Sequence, residues 1–61
     1  METIKVGARG HAVLTPVRGM QGYVSLDLYA GNGQLVIGIG SIRYEKAIKE
    51  VEHAQTDPDF N

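Results

Sequence analysis

Residues 23–39 read YVSLDLYAGNGQLVIGI, and this stretch predicts a β-hairpin. Before the turn every second residue is apolar, which is the pattern of a strand with one buried face. Asn32-Gly33 is the strongest short signal for a two-residue type I′ turn, in which both central residues have positive φ. The turn predicts three inward pairs: Ala30 with Leu35, Leu28 with Ile37, and Leu26 with Ile39.

A three-residue loop over residues 31–33 is the alternative. It would set Leu28 opposite Val36 and Leu26 opposite Gly38, and so turn the apolar side of the second strand toward solvent. We therefore predict the two-residue turn. On this interpretation the glycine-rich segment serves to reverse the chain, because Asn and Gly tolerate left-handed backbone conformations.

Two further strands are predicted before the hairpin. Thr3–Arg9 alternates, with Ile4, Val6 and Ala8 on one face. His11–Arg18 is a poorer strand, because Pro16 has no amide hydrogen for a ladder and indicates an edge, a bulge or a break. Gly19-Met20-Gln21-Gly22 predicts a turn, and Tyr23–Ala30 is the clearest strand.

A helix is predicted from Ser41 to about Gln55, with Ser41 as its N-cap. Its apolar residues recur at spacings of three and four: Tyr44, Ala47, Ile48, Val51 and Ala54. The fold class is therefore α+β, with one domain over residues 1–61. An antiparallel meander of three to four strands (residues 3–40) carries one C-terminal amphipathic helix (residues 41–55) on one face. Residues 56–61, which include Phe60, form an acidic tail.

Gly38-Ile39-Gly40-Ser41 superficially resembles the glycine-rich loop of dinucleotide sites. Arg43 stands where the third glycine belongs, and the chain is too short for a strand-helix-strand unit. A weaker hypothesis is an anion held by the amides around Gly40, Ser41 and Ile42 at the predicted helix start. Capping by Ser41 is the favoured interpretation.

Size and composition limit the classes of protein. A chain of 61 residues with no cysteine has neither disulfides nor thiolate zinc sites to strengthen a small core, which favours self-association as a homodimer. The formal net charge of −1 gives no overall attraction to nucleic acid or membranes. The sequence shows no signal-peptide pattern and no membrane-spanning run, so we expect a soluble cytoplasmic protein.

Candidate catalytic groups are few. His11 begins a strand and His53 lies near the helix end, and neither has a nearby sequence partner for nucleophilic or metal chemistry. Glu50 and Glu52 point to different sides of the helix. We expect a protein that is not an enzyme and that uses no metal or cofactor.

The sheet face opposite the helix is the candidate binding surface. Tyrosine buries area while keeping a polar tip, and it is enriched at protein interfaces. Tyr23 and Tyr29 lie six residues apart, about 20 Å along a strand, so they cannot form one stacking box for bases. The protein-interface candidates are Lys5, Arg9, Tyr23, Tyr29 and Val36.

These observations predict a small non-enzymatic protein-binding module. It would act as a homodimer or as a modulator that docks on a larger protein. Compact stand-alone proteins of this size occur often in phages and mobile elements, so we expect an origin of that kind. The alternative is a weak nucleic-acid-binding protein that uses Lys5, Arg9, Arg18 and Arg43. Binding of a small anion at the helix start is a third hypothesis.

Overall fold

The computed structural model describes residues 1–56, which form a four-stranded antiparallel sheet followed by one helix. The strands lie in chain order: β1 (Glu2–Val6), β2 (Gly10–Pro16), β3 (Tyr23–Tyr29) and β4 (Leu35–Arg43), with α1 at Tyr44–Thr56. The predicted α+β meander with a C-terminal helix is confirmed. Thr56 is the last residue of the helix, so the prediction that the tail begins at residue 56 is wrong. The predictions for Phe60 and the rest of the tail lie outside the described residues.

The core lies between α1 and one face of the sheet. Along β3 every second side chain is buried, as the alternation predicted. The helix contributes its small apolar stripe, with Ile48 half-buried beside it. The buried residues of this core are Val6, Ala12, Leu14, Val24, Leu26, Leu28, Ala47, Val51 and Ala54.

The first two strands are shorter than predicted. β1 ends at Val6, because Gly7 takes a φ of 66° and turns the chain. Ala8 and Arg9 are therefore exposed turn residues. Pro16 is the last residue of β2 and pairs with Val24, and the amide of Val17 beyond it still donates to the carbonyl of Tyr23 at 3.0 Å. The missing amide of Pro16 therefore costs no hydrogen bond to β3. The predicted turn after β2 is confirmed, with positive φ at Gly19 and Gly22.

The β3–β4 turn differs from the predicted type I′ turn. Gly33 N donates to Ala30 O and Ala30 N donates to Gln34 O, both at 2.9 Å. Gly33 has a φ of 87°, whereas no non-glycine residue of the described chain, Asn32 included, has positive φ. The connection is thus a three-residue loop over residues 31–33 that closes with a left-handed glycine.

A β-bulge at Val36 restores the register that this odd loop would lose. Tyr29 pairs with Leu35, and the next pair is Leu28 with Ile37, so Val36 is the extra residue. The predicted pairs of Leu28 with Ile37 and Leu26 with Ile39 are confirmed. The predicted pairing of Ala30 with Leu35 is wrong, because Ala30 bonds to Gln34.

The helix begins at Tyr44, three residues later than predicted. β4 continues past Gly40 through a second bulge and stays paired with β3, matching Val24 with Ile42 and Tyr23 with Arg43. Ser41 therefore lies in a strand and is not an N-cap. The amide of Tyr44 donates to the carbonyl of Gly22 at 2.9 Å, which fixes the point where strand becomes helix.

Both ends of α1 are fastened to β1. At the start, the Tyr44 hydroxyl donates to Glu2 Oε1 at 2.8 Å. At the end, Gln55 Nε2 donates to the carbonyl oxygen of Lys5 at 3.1 Å. These two contacts tie α1 to β1, and its side chains cover part of that outer edge of the sheet.

The Tyr44 contact predicts a pH dependence. Its hydrogen bond to Glu2, then the partial removal of water and the carboxylate charge, raise the pKa of the Tyr44 phenol. A raised pKa means that the contact is fully present below the ordinary tyrosine value of about 10 and is lost as pH rises through the raised value. Tyrosinate absorbance during alkaline titration of Tyr44→Phe should lack the component that titrates above the ordinary tyrosine value. Glu2→Gln should move that component to lower pH, and an unchanged titration curve would contradict the contact.

Candidate functional site

The sheet surface opposite α1 is the candidate binding site, and we call it the open face. Its side chains alternate with the buried ones along each strand, so the pairing of the strands sets which of them are neighbours. The open face comprises Thr3, Lys5, His11, Val13, Thr15, Tyr23, Ser25, Asp27, Tyr29, Leu35, Gly38 and Arg43.

One end of the open face carries an aromatic pair. The register places Lys5, His11, Tyr29 and Leu35 in one row across the four strands. The rings of His11 and Tyr29 stack with centroids 4.8 Å apart and an angle of 15° between their planes. Leu35 ends the row with 50% of its surface exposed. The row therefore combines a cation, stacked rings and an apolar side chain.

The opposite end carries a cation over a ring. The guanidinium carbon of Arg43 lies 5.3 Å from the centre of the Tyr23 ring, within the range of a cation–π contact. Tyr23 and Tyr29 are both half-buried, so each ring is held in place while one side remains accessible. Both ends of the open face thus present an ordered aromatic anchor.

Charge is unevenly distributed over the described chain. Lys5 and Arg43 lie on the open face, and Asp27 is its one carboxylate among residues 1–56. Arg9 and Arg18 lie in the turns at opposite ends of β2. The other described carboxylates are Glu2, which bonds to Tyr44, and three on α1: Glu45, Glu50 and Glu52.

Asp27 occupies the middle of the open face. It pairs with Val13 on β2 and Gly38 on β4. A Cβ added at Gly38 would come within 3.6 Å of Asp27 Oδ1 and 3.7 Å of Leu35 Cδ2. The missing side chain at Gly38 therefore leaves a shallow depression beside the carboxylate.

Three sets of predicted site residues lie elsewhere. Arg9 is in the turn between β1 and β2 and not on a strand of the open face. Val36 is not on the open face, because its bulge turns it toward the helix side, where it lines a groove with Leu28 and Ile37. Gly40, Ser41 and Ile42 belong to β4 and not to a helix start. The proposed anion site thus loses the helix amides on which it depended.

The groove beside Val36 has a volume of about 400 Å³ and lies between α1 and β4. Its remaining lining includes Glu50, His53, Ala54 and Thr56. His53 is exposed in the last helical turn, as predicted. Within residues 1–56 no three His, Asp or Glu side chains are grouped closely enough to hold a metal ion.

The register explains what the sequence reasoning missed. From the sequence alone, His11 has no apparent partner, and Arg43 has no predicted contact with an aromatic ring. Both contacts join strands, so they follow from cross-strand pairing: His11 opposite Tyr29 and Tyr23 opposite Arg43. The second pair needs β4 to extend to residue 43.

Comparison of the chain with protein-family models, with curated proteins and with solved structures finds no match. Within the described part of the chain, no helix has the length and apolar character required to cross a membrane.

Proposed function

We propose that the protein is a non-enzymatic binding module whose open face docks on a larger protein. The observation that supports this most is the pair of anchors at its two ends: the stacked rings of His11 and Tyr29, and Tyr23 under Arg43. Tyr and Arg are the residue types that most often dominate binding energy at protein interfaces. The absence of cysteine fits work in the reducing cytoplasm.

The charges define the partner's surface. Lys5 and Arg43 on the face, with Arg9 and Arg18 at its ends, outnumber Asp27. A complementary partner carries carboxylates opposite these basic residues, apolar side chains over Val13 and Leu35, and a hydrogen-bond donor or cation opposite Asp27. The two anchors are already held against neighbouring side chains, so docking costs little side-chain entropy.

Nucleic acid is the second candidate, because the same four basic residues would also attract phosphates. Two features favour protein instead. Asp27 lies in the middle of the face and would repel a phosphate backbone, and the two aromatic anchors lie about 20 Å apart along β3. Leu35, half of whose surface is exposed, adds apolar area that contacts with phosphates would leave unused.

Site-specific photo-crosslinking tests this proposal. Thr3 is an exposed position on the open face, and Lys49 is an exposed position on the helix. A photo-reactive residue at Thr3 should give a discrete protein adduct in native extract, whereas the same residue at Lys49 should not. Tyr29→Ala should abolish the adduct. With the purified partner, Tyr29→Ala and Tyr23→Ala should each weaken binding by about fivefold or more.

The contrary outcomes are distinct. Equal adducts from Thr3 and Lys49, insensitive to Tyr29→Ala, would refute docking through the open face. Titration with short single- and double-stranded DNA and RNA at two salt concentrations tests the second candidate. Binding that weakens steeply with salt and is lost in the double variant Arg9→Ala/Arg18→Ala would establish nucleic acid as the ligand.

A further inference from the structure

We propose that two copies of this chain pair through the outer edge of β4, so that their sheets join into one continuous antiparallel sheet and the two grooves face each other. This contact lies at the edge and on the helix side of the sheet. It is therefore separate from the open face and goes beyond the docking function proposed above.

The two edges of the sheet are treated differently by the fold. The strand order leaves β1 and β4 as the outer strands. At β1, Gln55 satisfies the carbonyl of Lys5 and Tyr44 bonds to Glu2, so α1 covers part of that edge. No comparable side-chain contact from residues 1–56 covers the backbone of β4, although it is the longest strand, with nine residues. An uncovered edge is a ready template for pairing with another strand.

Apolar side chains line the same edge. The helix side of β4 is only partly covered, since Ile37, Ile39 and Ile42 are all half-buried. Val36 beside them has 51% of its surface exposed. Among the helix residues that line this groove, Ala54 is the only apolar one, and its side chain is small. A contiguous apolar strip on a small protein marks an interaction surface.

A second copy fits this edge because the edge is complementary to itself. β4 can pair antiparallel with its own copy about a two-fold axis at Gly38, which sets Ile37 of each copy beside Ile39 of the other. The bulges at Val36 and at residues 40–41 limit regular pairing to this middle segment. Burial of the half-exposed isoleucines then supplies most of the stabilisation.

The charges on α1 agree with this arrangement. Glu50 lines the groove, and Lys46, one helical turn earlier, lies on the same side of the helix. Across the two-fold axis the helices run antiparallel, so Lys46 of each copy approaches Glu50 of the other. A standard interface buries about 800 Å² per partner, roughly a fifth of the 4259 Å² of accessible surface. Such burial would enlarge a core that contains only small and medium side chains.

Sedimentation equilibrium over a concentration series tests the dimer. The chain should show a reversible equilibrium between the 6.6 kDa monomer and its dimer. Val36→Glu should weaken association by about tenfold or more, because it places a charge in the apolar seam. Lys46→Glu and Glu50→Lys should each weaken it by about fivefold, since a two-fold interface contains each contact twice.

Mixing the two charge variants gives the sharpest result. A heterodimer of Lys46→Glu with Glu50→Lys has opposite charges at both contacts, so the mixture should associate more tightly than either variant alone. Glu52→Lys is the matched control, since it makes the same charge change as Glu50→Lys at an exposed position on a different side of the same helix. It should leave the dimer intact. Circular dichroism of each variant monitors the fold.

Several results would overturn the proposal. One is a 6.6 kDa species alone throughout the series. Another is a dimer whose association constant is unchanged by Val36→Glu and by both charge changes, which would place the contact elsewhere.

Thr56 borders the groove and is followed by residues 57–61. If only a chain truncated after Thr56 dimerises, this segment is the occupant instead. Tyr29→Ala should not alter the dimer, which separates this test from that of the open face.

Discussion

Val51→Asp is expected to abolish the native fold. Val51 lies in the middle of α1 with 2% of its surface exposed, among the buried side chains of the core. The change removes the burial of valine, about 1.5–3 kcal/mol, and places an unpaired carboxylate in an apolar site, at a cost of several kcal/mol more. A domain of this size has a total stability of only about 3–9 kcal/mol. The combined loss is comparable to the whole free energy of unfolding, so no stable native state is expected.

Far-UV circular dichroism and thermal unfolding measure this effect. Lys49→Asp is the matched control, because it introduces the same residue into the same helix at an exposed position. The control loses helix propensity, about 0.7 kcal/mol or less, and the surface pair of Glu45 with Lys49, about 0.2–0.5 kcal/mol, and it should still melt cooperatively. A cooperative transition of Val51→Asp close to that of Lys49→Asp would show that α1 does not pack on the sheet.

The parts of the fold that were predictable depend on local periodicity. The alternation along β3 and the stripe of Ala47, Val51 and Ala54 each follow from side chains within one element. The face that each element buries is its apolar face, so it can be identified without knowing which element packs against it. The packing of α1 on the sheet was predictable for the same reason, because each element has only one apolar side to cover.

The helix start was not predictable from local signals. Ser41 after two glycines is a good capping signal, yet residues 41–43 remain in β4 because they pair with β3. That pairing joins positions about twenty residues apart in the chain, and no local propensity contains it. The open-face contacts of Arg43 were missed for the same reason.

The candidate surface was predicted in part. Lys5, Tyr23 and Tyr29 lie on the open face, where the alternation places them, although their role in binding stays a prediction. Val36 was misplaced because one extra residue in a strand reverses the side to which a side chain points. Such a bulge depends on the pairing of β4 with β3 along its whole length, and the residues next to Val36 do not predict it.

In the hairpin, the predicted register of Leu28 with Ile37 and of Leu26 with Ile39 is correct, although the predicted turn type is wrong. Matching the apolar faces requires an even offset, and a two-residue turn at Asn32-Gly33 supplies it. The structure supplies it with two odd irregularities, a three-residue loop and the bulge at Val36. The alternation of apolar residues constrains only the total number of residues added by the loop and the bulge together, and not the number added by each. The two turns make different demands on Asn32 and Gly33, so substitution distinguishes them.

Gly33→Val is expected to lower the melting temperature by roughly 5–15 °C, whereas Asn32→Val should cost much less. Gly33 has a φ of 87° and nothing within 4 Å of an added Cβ, so the penalty comes from the backbone alone. A left-handed conformation costs an ordinary residue about 1–2 kcal/mol, and a β-branched residue more. In a domain this small, each 1 kcal/mol corresponds to about 4–8 °C.

Asn32 has no positive φ, and its side chain only accepts a hydrogen bond from the Gln34 amide at 2.9 Å on the exposed surface. Loss of such a bond is worth about 1 kcal/mol at most. Gly40→Val is the control for the loss of a glycine: its φ is not positive and its Cβ position is open, so the melting temperature should change little. In a type I′ turn Asn32 and Gly33 would both be left-handed. Comparable large losses in Asn32→Val and Gly33→Val would therefore restore the two-residue turn and remove the need for the bulge at Val36.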